Sequence, residues 1–258
     1  MPSPPMRIIA LHGFTGDGTD FDALRKNTPE SWQWLCPDLP GHGTRAVIPP
    51  GTSLPLAQHL ALLDELRLHF TGKTPCVLLG YSMGGRLALH WALQRQDAFS
   101  ALVLIGASPG LSDPATRSAR RHADEALAAS VESGGVAAFF EKWWESPLFT
   151  GLRKLPPDTL SALRTRRLHN NTAAGLASSL RGVGTGTLPP LEHKLPLLRI
   201  PVLCIAGSED EKFAAIAHSM AERLPAATVA LVPGAYHSPH LENPSALAHI
   251  FHEKLDRP

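Results

Sequence analysis

The sequence predicts an α/β fold, a doubly wound and mostly parallel sheet of about six strands with an inserted helical lid. Two observations predict it. Short apolar runs alternate with amphipathic stretches along most of the chain, and one long segment, 108–190, breaks that rhythm.

The apolar runs lie at 6–11, 32–36, 75–80, 101–106, 200–206 and 228–232. They are apolar at successive positions rather than at alternate ones, as parallel strands covered on both faces should be. Between them, 54–70 places Leu56, Leu60, Leu63, Leu66 and Phe70 at helical spacing. The stretches 83–93 and 213–224 are similar. Residues 243–255 close the chain, with Pro244 suited to a first helical turn. Strand–helix alternation of this kind implies a doubly wound parallel sheet. The segment 108–190 is helical by composition, offers no strand, and carries Trp143, Trp144 and Phe149. It predicts a lid over the sheet's C-terminal edge, with 1–107 and 191–258 forming the core. Its Lys and Arg number ten against seven Asp and Glu, a net +3, while the rest of the chain is at −2.

Composition narrows the function. Apolar residues make up 43% of 258, enough for the core of one large domain, and 18% charged residues argue against a long disordered region. A formal net charge of +1 argues against nucleic acid as the main partner. Cys36, Cys76 and Cys204 are odd in number and widely spaced, so neither a disulfide framework nor a zinc motif is expected. No apolar run approaches the ~20 residues of a membrane helix. Met1 to Pro5 lacks the charged and apolar regions of a signal peptide. A cytoplasmic protein without membrane insertion is expected. The sequence carries no mark of an oligomeric state.

The chemistry begins at Gly80-Tyr81-Ser82-Met83-Gly84. A predicted strand ends here and a predicted helix begins. So sharp a turn strains its central residue and needs small neighbours, which Gly80 and Gly84 supply; Ser82 is left exposed at the top of the sheet. A serine hydroxyl is a poor nucleophile or base until a neighbour takes its proton. After the fifth predicted strand comes Gly207-Ser208-Glu209-Asp210, and after the sixth comes Gly234-Ala235-Tyr236-His237. These loops can bring an acid and a base to Ser82. His237 would exchange the proton and Asp210 would hold the imidazole, with Glu209 the competing acid. Leu11-His12-Gly13-Phe14 follows the first strand, so the Phe14 and Met83 N–H groups are candidates for an oxyanion hole. His12 is expected to brace its loop. Asp38 and His42, in Pro37-Asp38-Leu39-Pro40-Gly41-His42-Gly43, are expected to stabilise a turn, and His240 to be structural.

Together these motifs resemble the α/β-hydrolase superfamily over essentially the whole chain. A narrower resemblance is to the 2-succinyl-6-hydroxy-2,4-cyclohexadiene-1-carboxylate synthase family of menaquinone biosynthesis. It rests on Leu11-His12-Gly13-Phe14-Thr15-Gly16, Gly80 to Arg86, Pro109-Gly110-Leu111, Phe140-Glu141-Lys142-Trp143-Trp144, Gly207 to Phe213 and His237 to Pro244. The resemblance implies a carbon–oxygen lyase that eliminates pyruvate from 2-succinyl-5-enolpyruvyl-6-hydroxy-3-cyclohexene-1-carboxylate. It implies no metal and no organic cofactor. The small substrate carries three carboxylates, and the resemblance assigns Arg86, Arg120 and Arg167 to them, with Tyr81 and Trp143 shaping the pocket. Arg121 and Arg166 adjoin two of these positions. Two features depart from the family: few residues precede the first strand, and Gly182-Val183-Gly184-Thr185-Gly186-Thr187 reads as a loose stretch. A carboxylester or C–C bond hydrolase of the same fold, with Ser82 as a true nucleophile, is the alternative, because one fold hosts many reactions. A ligand receptor would have no need of all three triad residues.

Overall fold

The computed structural model describes residues 5–255. Apart from Pro5, the segment expected to carry no signal peptide therefore lies outside the described residues. In chain order the elements are β1 (Arg7–Leu11), α1 (Asp22–Lys26), β2 (Gln33–Leu35), α2 (Leu56–Thr71), β3 (Cys76–Tyr81), α3 (Met83–Gln94) and β4 (Phe99–Ile105). Then come α4 (Pro114–Trp143), α5 (Pro157–His169), α6 (Ala173–Val183), β5 (Val202–Gly207), α7 (Glu211–Ala221), β6 (Ala227–Val232), α8 (Pro239–Glu242) and α9 (Pro244–Leu255).

The six strands form one sheet, ordered β2-β1-β3-β4-β5-β6 and parallel throughout. Each predicted run overlaps one strand, with ends that agree to within about two residues. The chain steps outward from β1 to β2, then returns to β3 on the other side of β1. At such a reversal the connections leave in opposite directions, and a crevice opens beyond the strands' C-terminal ends. β3 and β5 are buried along their whole length, whereas the edge strands β2 and β6 are partly open. Cover on both faces thus holds for interior strands only, because an edge strand lacks a neighbour to shield one side.

Two apolar layers hold the sheet. On one face Leu60 and Leu63 of α2, Leu87 and Trp91 of α3, and Ala217 and Met220 of α7 pack against Ile9, Leu78, Leu102 and Cys204. On the other, Leu24 of α1 with Leu247 and Phe251 of α9 cover Ile8, Leu79, Val103 and Ile205. Burial pushes the thiol of Cys76 up to about 11 and that of Cys204 to about 12, so both remain protonated and unreactive.

Between β4 and β5 the chain is helical, with a small core of its own. Ala128, Val131, Phe140 and Trp144 of and beside α4 meet Leu163 of α5 and Leu176 of α6. Asp113 caps α4 by accepting the Thr116 N–H at 2.7 Å, ahead of Pro114 in the first turn. Arg181 of α6 grips Glu125 and Glu132 of α4 at 2.8 and 2.7 Å. The stretch 182–187, expected to be loose, is packed. Gly182 to Gly186 are buried, and a side chain at 182 would run into the backbone of Leu54, so these glycines serve close approach rather than flexibility. Among the described residues no helix is long and apolar enough to cross a membrane.

Candidate active site

Ser82 stands between β3 and α3 with φ 51° and ψ −109°, a left-handed backbone that a side chain tolerates only under constraint. The constraint is the turn itself. A Cβ at Gly80 would lie 2.5 Å from the Gly84 carbonyl oxygen and 2.6 Å from the Gly85 Cα, so strand and helix pass too closely for any other residue. The Ser82 N–H donates to the Ile105 carbonyl at 2.9 Å, tying the turn to β4.

His237, on the loop after β6, reaches Ser82 Oγ with Nε2 at 3.2 Å. Its Nδ1 lies 2.8 Å from Asp210 Oδ2. A carboxylate can only accept, so Nδ1–H is the donor and Nε2 is left free to take the serine proton. Asp210 Oδ1 accepts the Phe213 N–H at 3.2 Å at the start of α7, which fixes the carboxylate. Glu209 turns away and accepts the Ser208 hydroxyl at 3.0 Å. The His237 loop is braced by Glu242, which accepts the N–H groups of Tyr236 and Ser238 on either side of the imidazole. Burial raises the Glu242 carboxyl above its ordinary range.

The loop after β1 passes directly over Ser82. A Cβ at Gly13 would lie 3.5 Å from Ser82 Cβ and 2.7 Å from the Tyr81 ring. His12 holds this loop: its Nδ1–H donates to the Gly13 carbonyl at 2.8 Å while Nε2 accepts the Leu39 N–H at 2.9 Å. Asp38 gathers the Gly18 and Thr44 N–H groups, each at 2.8 Å. Phe14 and Met83 both line the cavity with Ser82. Met83 is the first residue of α3, where a backbone N–H has no partner within the helix.

That cavity, of about 720 Å³, lies between the sheet's C-terminal edge and the helical segment. Ser82 and His237 form its floor; Arg86, Arg120 and Trp143 stand on its walls. Arg120 Nε donates to Asp124 at 2.8 Å and is half exposed. Arg86 makes no ion pair or side-chain hydrogen bond with the described residues, and its Nε is buried without a partner, as is Trp143 Nε1. Burial, then the charge of Arg120, brings the Arg86 guanidinium down to about 10, so it is still cationic at neutral pH. A cationic guanidinium on the cavity wall without an ion pair favours an anionic ligand.

Two predicted pocket residues stand elsewhere. Tyr81 is buried beneath the floor, packed at a tilt of 53° against the rings of His237 and His240, and its hydroxyl lies 2.7 Å from Ser238 Oγ. Arg167 is only 2% exposed and is not on the cavity wall; its Nη2 donates to the fully buried Asp20 at 3.1 Å. In this arrangement the guanidinium is engaged by the buried acid. Arg166 likewise pairs with Asp20 and Asp17, and Arg121 is exposed outside the cavity. The sequence reading passed over Lys212 and Arg223, which do line the cavity; Arg223 is paired with Glu192 at 2.9 Å. Helical spacing could have found them, since Lys212, Ile216, Ser219 and Arg223 share one face of α7 and its extension.

Residues 8–250 match the family model described as the alpha/beta hydrolase family. The chain belongs to the alpha/beta hydrolase family. Within it, the chain is 36% identical over 98% of its length, and 92% of the relative's, to a Bacillus subtilis (strain 168) protein named putative 2-succinyl-6-hydroxy-2,4-cyclohexadiene-1-carboxylate synthase. A relative from Enterobacter sp. (strain 638), named as the same synthase, is 33% identical over 93% of this chain and 88% of its own. Among solved alpha/beta hydrolase structures, MenH from S. aureus superposes with a TM-score of 0.91 at 29% identity, covering 99% of this chain and 96% of that one. A thermophilic esterase from Thermogutta terrifontis superposes at 0.84 with 25% identity, covering 97% and 89%. Among the described residues no three His, Cys, Asp or Glu side chains are grouped as metal ligands would be.

Proposed function

We propose that the chain is a 2-succinyl-6-hydroxy-2,4-cyclohexadiene-1-carboxylate synthase, a lyase of menaquinone biosynthesis working in the cytoplasm. The observation that carries this is the unpaired guanidinium of Arg86, set with Arg120 on the wall of the cavity whose floor is Ser82. A pocket built for neutral esters has no use for a partly buried cation without an ion pair, whereas a tricarboxylate substrate supplies its partner.

In this reading Ser82, coupled through His237 to Asp210, takes a proton from the ring carbon beside the succinyl ketone. The proton passes to His237, and Asp210 stabilises the imidazolium. The electron pair moves onto the ketone oxygen, which the Phe14 and Met83 N–H groups receive. Collapse of that enolate forms a double bond between ring carbons 2 and 3, shifts the existing ring double bond from carbons 3 and 4 to carbons 4 and 5, and breaks the C–O bond between carbon 5 and the enolpyruvyl group. The departing enolate takes up a proton and leaves as pyruvate. Arg86 and Arg120 bind carboxylates, Trp143 shapes the wall, and the helical segment serves as a lid that keeps water out.

The test is a coupled assay for pyruvate released from the cyclohexene substrate. Release that depends on Ser82 supports the lyase. Rapid turnover of simple neutral esters with no pyruvate would instead leave a hydrolase with the same triad.

A further inference from the structure

Among the described residues, four cationic and two acidic side chains line the cavity: Arg86, Arg120, Lys212 and Arg223 against Asp124 and Glu192. Both acids are engaged. Asp124 accepts from Arg120 at 2.8 Å. Glu192 holds Arg223 at 2.9 Å, while its other oxygen accepts the Ser112 hydroxyl at 2.6 Å. Two cations are left over on the wall, Arg86 and Lys212. The Lys212 ammonium makes no ion pair or hydrogen bond with the described residues, and its Nζ stands 5.6 Å over the Phe213 ring.

Helix register puts this charge on the wall. Lys212, Ile216, Ser219 and Arg223 line one side of α7 and its extension, at the spacing that keeps side chains on one face. Asp210 caps that helix and also pairs with His237, so the place of Lys212 is tied to the place of the base. The Phe213 ring lies 4.4 Å from the His237 ring, which leaves the ammonium one ring away from the imidazole. Arg86 belongs to α3, and the charges acting on it are those of Arg120 and Asp124. The cavity thus has two positive poles, one at Arg86 and Arg120 and one at Lys212. The substrate of the proposed reaction carries its carboxylates on three different ring positions, so they point apart and one pole cannot serve all three. Arg167 is off the cavity wall and held by Asp20.

We propose that Lys212 binds the third carboxylate of the substrate, and so completes the recognition of a tricarboxylate that Arg86 and Arg120 begin. The proposal rests on the lyase reading given above. A lysine ammonium is a mobile point charge with three donors, so it needs no fixed fork to meet a carboxylate on an exposed stretch of wall.

The experiment compares Lys212→Gln and Lys212→Arg with the wild type in steady-state pyruvate release, at low and high salt and across pH. The side chain is exposed and makes no hydrogen bond, so neither substitution should move the melting temperature. Lys212→Gln should raise KM about fivefold or more with kcat within about twofold. Its KM should also respond less to salt than that of the wild type, because one charge pair is gone. Lys212→Arg should recover most of the KM. An unchanged KM in Lys212→Gln, or a loss that Lys212→Arg leaves unrepaired, would overturn the assignment. So would a shift in the acid limb of the kcat–pH profile with KM unaltered, since the ammonium would then act on the imidazole through space and not on a carboxylate. A wild type that releases no pyruvate would sink the lyase reading itself. A wild type that releases it, beside an indifferent Lys212→Gln, would remove the lysine alone.

Discussion

Ser82 sits in a strained backbone, with its hydroxyl 3.2 Å from an imidazole that a carboxylate has already oriented. Removing the hydroxyl removes the base but leaves little void, since the residue borders an open cavity. Ser82→Ala should therefore lower kcat by roughly three orders of magnitude or more while the melting temperature stays within about 2 °C. A variant retaining a tenth of the activity would point to another base. The arginines divide by the same logic. Arg86 has no protein partner, so Arg86→Ala should lower kcat/KM by about ten- to a hundredfold, a charge-assisted contact being worth roughly 1.5–3 kcal/mol, with little change in stability. Arg167→Ala should instead lower stability by about 3 kcal/mol, because it strips one of two cations from the fully buried Asp20. Urea melts beside steady-state kinetics separate the two outcomes. If Arg167→Ala melted like the wild type and only raised KM, that residue would belong to the substrate after all.

At the level of elements, the strands and the Ser82 turn were legible because short apolar runs and the Gly80–Ser82–Gly84 spacing are local properties. The acid and base were legible because strand ends fix where their loops emerge. What escaped notice depends on pairing between distant segments. No local pattern announces that Asp20 will reach α5, so nothing in the sequence set the Arg167–Asp20 pair against the substrate role that the family resemblance implies for Arg167. Glycines spaced through 182–187 look slack in isolation, and only the fold brings the Leu54 backbone against Gly182. The kink in α4 belongs with these. Gly135 has φ 78° and ψ 168° inside an otherwise helical run, a conformation essentially confined to glycine, with no atom within 4 Å of a would-be Cβ. Strain alone thus decides the effect of a side chain there. Gly135→Ala should cost about 1–3 kcal/mol and lower the melting temperature by roughly 2–10 °C, measured by calorimetry. A rise would mean that the helix straightens through 135 at no cost, and that the kink contributes nothing to how the segment seats over the cavity.

For the whole molecule, the decisive quantity is the number of neutral histidines in its interior. His12, His42, His59, His90 and His240 are all buried, and burial is the first cause that lowers each below the ordinary 6.5; His90 falls to about 4. A base with a lowered folded pKa binds its proton more weakly in the fold than in the unfolded chain. Acid therefore pulls the equilibrium toward unfolding, and stability present above about 6.5 is lost as the pH falls toward the folded values. Glu242, raised by burial, acts in the opposite direction, but it is one group against five. His90 alone accounts for roughly 3 kcal/mol between pH 6.5 and 4, at 1.36 kcal/mol per unit. The other four imidazoles add to this in the same direction, against a total stability of about 5–15 kcal/mol. Stability should thus begin to fall below about pH 6.5, before most carboxylates are protonated. Tryptophan fluorescence against pH would locate the midpoint, and urea melts at pH 7, 6 and 5 would give the slope. His90→Gln removes one titrating site, so it should move the acid midpoint downward and flatten the slope. A stability unchanged between pH 7 and pH 5 would mean that these imidazoles take up protons inside the fold, and that the interior around them is far more polar than its packing implies.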